Sequence, residues 1–272
     1  MSKRTATVAG MFYPADPDTL RADVARYLDE AEVTPAPERV VGVVAPHAGY
    51  MFSGPTAGHA FARTSGKKPE RVVLLGRSHR YFFDGAAVYD SGAFETPLGA
   101  FPVDTAFAQE VTAEFGQGPV EAHHPEHSLE VQLPFLYEAV GIVPVVPVLF
   151  GANAAAWHMT FGRRLAEKLG HEDLVVASTD LSHYQPQERA NAIDERTLQG
   201  VLSQDYEALA QAFARDEASM CGAPAVVAAM TYALAREATH WELLDYRTSA
   251  AASGDYQRVV GYGAISMERP AA

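Results

Sequence analysis

The stretch VVGVVAPHAGY, residues 40–50, is the part of the chain that best defines the fold. Its first half is an almost unbroken run of β-branched residues, which is typical of a strand buried on both faces of a sheet. Its second half changes to small and polar residues around His47, as a loop at the end of a strand does. Three further runs have the same character: RVVLLGR (71–77), PVVPVLF (144–150) and LVVAS (174–178).

Helical patterns separate these strands along the chain. Seven segments have helical character: 17–31, 54–63, 104–114, 155–169, 187–201, 203–214 and 223–238. Alternation of strands and helices predicts a partly parallel sheet with helices on both sides. Near the C-terminus, segments 241–249 and 258–267 flank a turn-forming SGD and predict a β-hairpin that extends the sheet. We therefore predict an α/β fold, with a single domain over residues 1–272 and a central mixed β-sheet flanked by helices.

Composition excludes several classes of protein. The 272 residues include 34 acidic and 21 basic side chains, for a formal net charge of −13. This negative field repels phosphate backbones and anionic lipids, which argues against nucleic-acid and membrane-surface roles. The longest apolar stretch, 141–152, is shorter than the roughly 20 residues that span a bilayer. Because the start of the chain also lacks the pattern of a secretory signal, and because Cys221 is the single cysteine, we predict a cytoplasmic protein.

Three histidines follow predicted strands closely: His47, His79 and His183. Since the loops that leave the carboxyl ends of parallel strands meet at one edge of a sheet, these imidazoles are expected to converge. Imidazole nitrogen binds Fe(II), Zn(II) or Cu(II), and three protein ligands leave coordination positions open. The competing interpretation is that each histidine only hydrogen-bonds to loop backbone.

A second cluster lies in HHPEHSLEVQLPFL, residues 123–136. Ser128 is a suitable N-cap for a helix that begins near Leu129. Glu130 follows His127 by three residues, so both side chains can share a helix face. Glu130 can then orient an imidazole of a metal site or accept a proton. A solvated helix start is the alternative.

Two further residues have open roles. Asp180 precedes His183 by three residues and can be a ligand, hold the imidazole in one tautomer, or cap the next helix. Cys221 precedes an apolar helix, whose N-terminus can lower a thiol pKa. An inert buried cysteine is the more frequent case. The chain also has no GxGxxG, GxxxxGK or GxSxG motif, which disfavours nucleotide-dependent and serine-hydrolase functions.

Six motifs in order support a family resemblance between about residues 4 and 267: VAGMFYPADPDTL, APHAGYMFSGPTAGHAF, LLGRSHR, HPEHSLEVQLPFL, ASTDLSHY and SGDYQRVVGYGAIS. The chain resembles the Memo-like family, whose prokaryotic members are called AmmeMemoRadiSam system protein B. The resemblance implies a fold similar to the class III extradiol dioxygenases, which are non-haem iron enzymes. It also implies a metal-binding cleft formed by His47, His79 and His183, with Asp180 beside them.

The resemblance carries expectations about cofactor and partners. The expected metal is divalent, with Fe(II) first and copper or zinc as alternatives. The family name implies a radical SAM protein and an AMMECR-type protein as partners, with an unknown small molecule or peptide in the cleft. Extradiol dioxygenases bind iron through two histidines and a glutamate and use another histidine as acid/base. His183 is therefore either a ligand or a catalytic acid/base group, and Glu130 and Asp180 are the other candidate catalytic residues.

Three hypotheses about function follow. The first is a metal-binding protein, with iron as the expected metal, that acts with partners in a redox or radical-SAM-linked process. The second is a metal-dependent dioxygenase or hydrolase. The third is a scaffold whose cleft binds a peptide or partner without catalysis.

Overall fold

The computed structural model describes residues 3–271 and is built around one eight-stranded mixed sheet. Four strands form its parallel centre and lie side by side in the order β2, β8, β3, β7. They are β2 (Val40–Ala45), β3 (Val72–Arg77), β7 (Val145–Phe150) and β8 (Leu174–Ser178). All four coincide with the strands predicted from the sequence. Their residues are almost entirely buried because helices cover both faces of the sheet.

The antiparallel strands extend the sheet on both sides. They are β4 (Ala86–Val88), β9 (His183–Gln185), β10 (His240–Thr248) and β11 (Val259–Glu268). β11 pairs with β2, β10 and β9, and β4 pairs with β7. The predicted C-terminal hairpin and the mixed character of the sheet are therefore confirmed. A small separate sheet, which the sequence did not predict, consists of β1 (Lys3–Arg4), β5 (Ala93–Thr96) and β6 (Gly99–Pro102).

Helices occupy the segments between the strands. They are α1 (Pro17–Glu30), α2 (Tyr50–Thr64), α3 (Thr105–Phe115), α4 (Leu133–Val140), α5 (Ala155–Lys168), α6 (Gln187–Leu202), α7 (Tyr206–Ala214), α8 (Ala223–Ala235) and α9 (Ala250–Ser253). All seven predicted helices are present. α2 begins four residues earlier than predicted and continues through Pro55. The helix expected near Leu129 begins instead with a 3₁₀ turn, Glu130–Gln132, which leads into α4.

One hydrophobic core takes side chains from Val8 near the start of the chain to Met267 near its end. This continuity agrees with a single domain over the described residues; residues 1, 2 and 272 lie outside them. No helix in the described part of the chain is long and apolar enough to cross a bilayer. The parallel strands all end at the same edge of the sheet, so the loops after β2, β3 and β8 lie together there.

Candidate metal centre

Two histidines and a cysteine meet at the carboxyl edge of the parallel strands. His47 follows β2, His79 follows β3, and Cys221 comes just before α8. One potential ligand atom from each residue lies within 4.8 Å of the other two. The ring centroids of His47 and His79 are 5.2 Å apart. We call these three candidate ligand residues, His47, His79 and Cys221, the metal cluster.

Ser178, the last residue of β8, determines which nitrogen of His47 faces the cluster. Its Oγ donates a 2.7 Å hydrogen bond to the carbonyl of Ser128. It also accepts a 3.0 Å hydrogen bond from Nε2 of Gln132. Because the hydroxyl has no second proton, it must accept the 2.8 Å hydrogen bond that joins it to Nδ1 of His47. Nδ1 of His47 therefore holds a proton, and Nε2 faces Sγ of Cys221 at 3.2 Å.

Glu126 orients His79 in a similar way. Its Oε1 lies 2.9 Å from Nδ1 of His79, and its Oε2 accepts the backbone N–H of the same residue at 2.8 Å. Burial alone raises the pKa of Glu126, but the hydrogen bonds and charge of His79 lower this pKa well below its usual range. An ionised carboxylate can only accept hydrogen bonds, so Nδ1 of His79 is the donor. Nε2 of His79 is left for a ligand, as in the carboxylate–histidine pairs of metal sites.

Asp180 supports both His47 and Cys221. Its Oδ1 accepts the backbone N–H of His47 at 2.7 Å, and its carbonyl accepts the N–H of Cys221 at 3.1 Å. Its own N–H points to Sγ of Cys221 at 3.2 Å. Asp180, which is 4% exposed, therefore holds the two residues at a fixed spacing.

The charges of the cluster favour a thiolate. Burial alone raises the pKa of Cys221, but the charge and hydrogen bond of His47 and the hydrogen bond of His79 lower it. Burial alone lowers the pKa of both histidines. Cys221 and Asp180 raise the pKa of His47, and Cys221 and Glu126 raise the pKa of His79. The thiolate is the form of Cys221 that binds metals, and a metal ion would take the place of the protons that the raised pKa values keep on the two imidazoles.

His127 lies against the cluster. Its ring centroid is 5.3 Å from that of His47, 5.0 Å from that of His79 and 5.0 Å from that of Phe12. Burial and the charge of His47 lower the pKa of His127 to about 3, so it is neutral. His79, Glu126 and His127 form a second group of potential ligand atoms. The hydrogen bond between His79 and Glu126 accounts for the closeness of this group without an ion.

The metal cluster has the donor set of a transition-metal site. Imidazole nitrogen suits iron, copper and zinc, and a soft thiolate disfavours magnesium and calcium. The 3.2 Å between Nε2 of His47 and Sγ of Cys221 is close to the roughly 3.5 Å that tetrahedral ligands at about 2.0 and 2.3 Å would span. The side chain of His79 is 26% exposed, so the cluster can be reached from solvent. Three protein ligands leave a coordination position open.

His47 and His79 converge as expected, but His183 lies outside both groups of potential ligand atoms found in residues 3–271. Its Nδ1 is 2.9 Å from the carbonyl of Leu181, and its backbone pairs with Val260 of β11. This pairing draws the segment after Asp180 toward β11. Cys221, rather than His183, is grouped with His47 and His79. A role for His183 as a metal ligand or as an acid/base group stays a prediction.

Glu130 anchors the N-terminal segment rather than an imidazole. It is fully buried, forms an ion pair with Arg4 and accepts the N–H groups of Thr7 and Val8. It also accepts the hydroxyl of Tyr13 at 2.6 Å. The role of orienting an imidazole, expected for Glu130, belongs to Glu126. The expected geometry fails because the helix begins after Glu130, which lies in a 3₁₀ turn.

Sequence reasoning missed two residues of the site. The role of Cys221 was left open, with an inert buried residue as the favoured interpretation, although its place just before an apolar helix was a usable signal. Glu126 was not singled out within HPEHS, and its contacts come from loop geometry that no periodicity reveals. Asp180 was identified, but it supports His47 and Cys221 rather than His183.

Comparison with known proteins agrees with the family resemblance of the motifs. The model of the Memo family, described as Memo-like protein, matches residues 4–266. A MEMO1 family protein of Methanopyrus kandleri is 37% identical over 98% of this chain and 99% of its own length. A MEMO1 family protein of Methanothermobacter thermautotrophicus is 34% identical over 97% of this chain and 99% of its own length. The chain belongs to the Memo family.

A search of solved structures found the crystal structure of an uncharacterized protein from Escherichia coli K12. It is 15% identical, has a TM-score of 0.49, and the match covers 84% of this chain and 100% of that chain. The similarity to extradiol dioxygenases stays a prediction from the sequence.

Proposed function

We propose that this protein binds one transition-metal ion through His47, His79 and Cys221 and uses it in a redox process. The observation that carries this proposal is the convergence of three ligand atoms within 4.8 Å from three distant parts of the chain. Ser178 and Glu126 form hydrogen bonds with Nδ1 of His47 and His79, respectively. Nε2 of each histidine is therefore the nitrogen that would bind the ion.

The donor set favours iron or copper for this function. Both metals accept imidazole and thiolate ligands and change oxidation state, which zinc does not. A bound ion of this kind would supply one-electron chemistry at the open coordination position. The protein's part is to hold Cys221 as thiolate, orient the two imidazoles and keep the neutral ring of His127 beside them.

Partners and location are part of the proposal. A radical SAM protein and an AMMECR-type protein are the proposed partners, as the family name implies. A reducing cytoplasm would keep Cys221 available as a ligand. Calorimetry can measure the binding of purified candidate partners to the metal-loaded protein and to a Cys221→Ala variant. Equal affinity for the two proteins would show that partner binding does not depend on the metal.

Cobalt(II) substitution tests the site directly, because a cobalt–thiolate bond gives a near-ultraviolet charge-transfer band that imidazole ligands do not give. Addition of Co(II) to the reduced protein should produce this band and saturate at about one ion per chain. Cys221→Ser should abolish the band, and the matched variant Ser219→Ala, two residues away, should retain it. Absence of a thiolate band in the wild-type protein at saturating Co(II) would refute the proposed site.

A further inference from the structure

Asp194 of α6 is a buried carboxylate outside the metal cluster. It is 0% exposed, and its hydrogen-bond donors are neutral groups of Ser182 and Tyr246. Oδ1 accepts the backbone N–H of Ser182 at 2.9 Å, and Oδ2 accepts the hydroxyl of Tyr246 at 2.9 Å. Burial raises the pKa of Asp194, which reflects the cost of placing this group in the interior. A carboxyl group in such a place calls for an explanation beyond packing.

The neighbouring strand leaves space for this carboxylate. A Cβ atom at Gly261 of β11 would lie 1.9 Å from Oδ2 of Asp194, so only glycine allows the observed position. The same glycine binds the segment that Asp194 contacts. Its carbonyl accepts the N–H of Leu181 at 2.8 Å, and its N–H donates to the carbonyl of Ser182 at 2.9 Å. Asp194 and Gly261 therefore fix Leu181 and Ser182 from two sides.

This fixed segment is continuous with the support of the metal cluster. Asp180 comes one residue before Leu181 and accepts the backbone N–H groups of His47 and Cys221. Beyond Ser182, the chain turns sharply, and Tyr184 adopts a left-handed conformation with φ of 57°. A non-glycine residue in this conformation persists only where its surroundings hold it. The position of Asp180 thus depends on how firmly Leu181 and Ser182 are held.

We infer that Asp194 is a positioning residue for the metal cluster, because its hydrogen bond to Ser182 fixes Asp180 and thereby the spacing of His47 and Cys221. The inference rests on the proposed function, since it concerns the same site. The anionic acceptor matters because a charged acceptor forms a stronger hydrogen bond with an N–H group than a neutral one does. Tyr246 only completes the hydrogen bonding of Oδ2.

The test compares Asp194→Ala, Asp194→Asn and Tyr246→Phe, with Co(II) as the probe. Asp194→Ala should shift the visible ligand-field bands of bound Co(II) and weaken Co(II) binding roughly 10-fold, at the low end of effects from groups that orient ligands. Asp194→Asn keeps an oxygen for Ser182 but not its charge, and it should give an effect between those of wild type and Asp194→Ala. Tyr246→Phe leaves the hydrogen bond to Ser182 intact and should match the wild type. A wild-type spectrum and affinity in folded Asp194→Ala would overturn the inference.

A second measurement covers the case in which Asp194→Ala does not fold. Amide hydrogen exchange of the metal-free Asp194→Asn protein should be faster than wild type at Ser182 and Cys221, and unchanged at Ala228 inside α8. Equal exchange at all three amides would overturn the inference. Failure of the wild-type protein to bind Co(II) would instead refute the proposed function. The two failures can be told apart, since the exchange experiment uses metal-free protein.

Discussion

Nε2 of His47 and Sγ of Cys221 lie 3.2 Å apart, although 174 residues separate them in the chain. The first residue is placed by the end of a central strand and the second by the start of a helix that packs on that sheet. Asp180 accepts a backbone N–H from each of them and thus fixes their separation. The metal cluster is therefore a product of the tertiary fold, and its supporting residues can be tested one at a time.

Ser178→Ala should weaken metal binding by about 10-fold, because Nδ1 of His47 loses the acceptor that fixes its proton. The change can be measured by competition of Zn(II) or Co(II) with a chelating dye. Ser266→Ala is the matched control, since this buried serine also loses a hydrogen bond, the one from its Oγ to Glu268, but lies outside the metal cluster. An equal loss of affinity in both variants would mean that the effect is not specific to His47.

Glu126→Gln should weaken metal binding by roughly 10–100-fold. The amide oxygen can still accept from Nδ1 of His79, but it carries no charge to support the imidazole. Glu121→Gln changes an exposed carboxylate in the same segment and should have no effect. If Glu126→Gln bound metal as tightly as the wild type, the carboxylate would have no part in the site.

Glu130→Gln should lower the free energy of unfolding by about 3–5 kcal/mol, because Arg4 would lose its buried ionic partner. Urea denaturation measures this loss, and metal content measured at low temperature should stay at the wild-type level. Glu188→Gln, on the exposed start of α6, is the control for a charge change without burial. A stable Glu130→Gln protein that had lost its metal would instead restore the role in the site that the sequence suggested.

His158 should contribute stability that rises with pH between about 4 and 6.5. This residue is 2% exposed, and burial, together with the charge of Arg77, lowers its pKa to about 4. The unfolded chain binds the proton near the usual histidine pKa of about 6.5, so acid favours unfolding. His158 alone should make the protein about 2 kcal/mol less stable at pH 5 than at pH 7.

His158→Phe tests this pH dependence, because the new ring fits the contacts with Phe150 and Trp157. Urea denaturation at the two pH values should show the stability difference reduced by about 2 kcal/mol. His171→Asn removes an exposed histidine and should leave the difference as it is in the wild type. An unchanged difference in His158→Phe would show that this histidine is not held neutral.

Much of the fold could be predicted from the sequence because the central strands are buried on both faces and therefore read as continuous apolar runs. The three strands within residues 86–102 were missed because they have only three or four residues each, among glycines and prolines. His47 and His79 were predicted because each follows its strand within two residues.

The third ligand could not be predicted by the same rule. His183 lies five residues beyond the end of β8, where the chain pairs with β11. Cys221 reaches the cluster from a helix start, whose position depends on how α8 packs against β8 and β3. Neither the pairing nor the packing is encoded in local periodicity. Burial of Glu130 was missed for a related reason, since its partners Arg4 and Tyr13 come from the far N-terminal segment.

The most direct test is the metal content of three proteins purified side by side under reducing conditions: wild type, Cys221→Ala and His183→Ala. After loading with Fe(II) or Cu(I) and removal of excess metal, wild type and His183→Ala should each retain about one ion per chain, and Cys221→Ala should retain little. The contradictory result is full metal content in Cys221→Ala with loss in His183→Ala, because the third ligand would then be the histidine and not the thiolate.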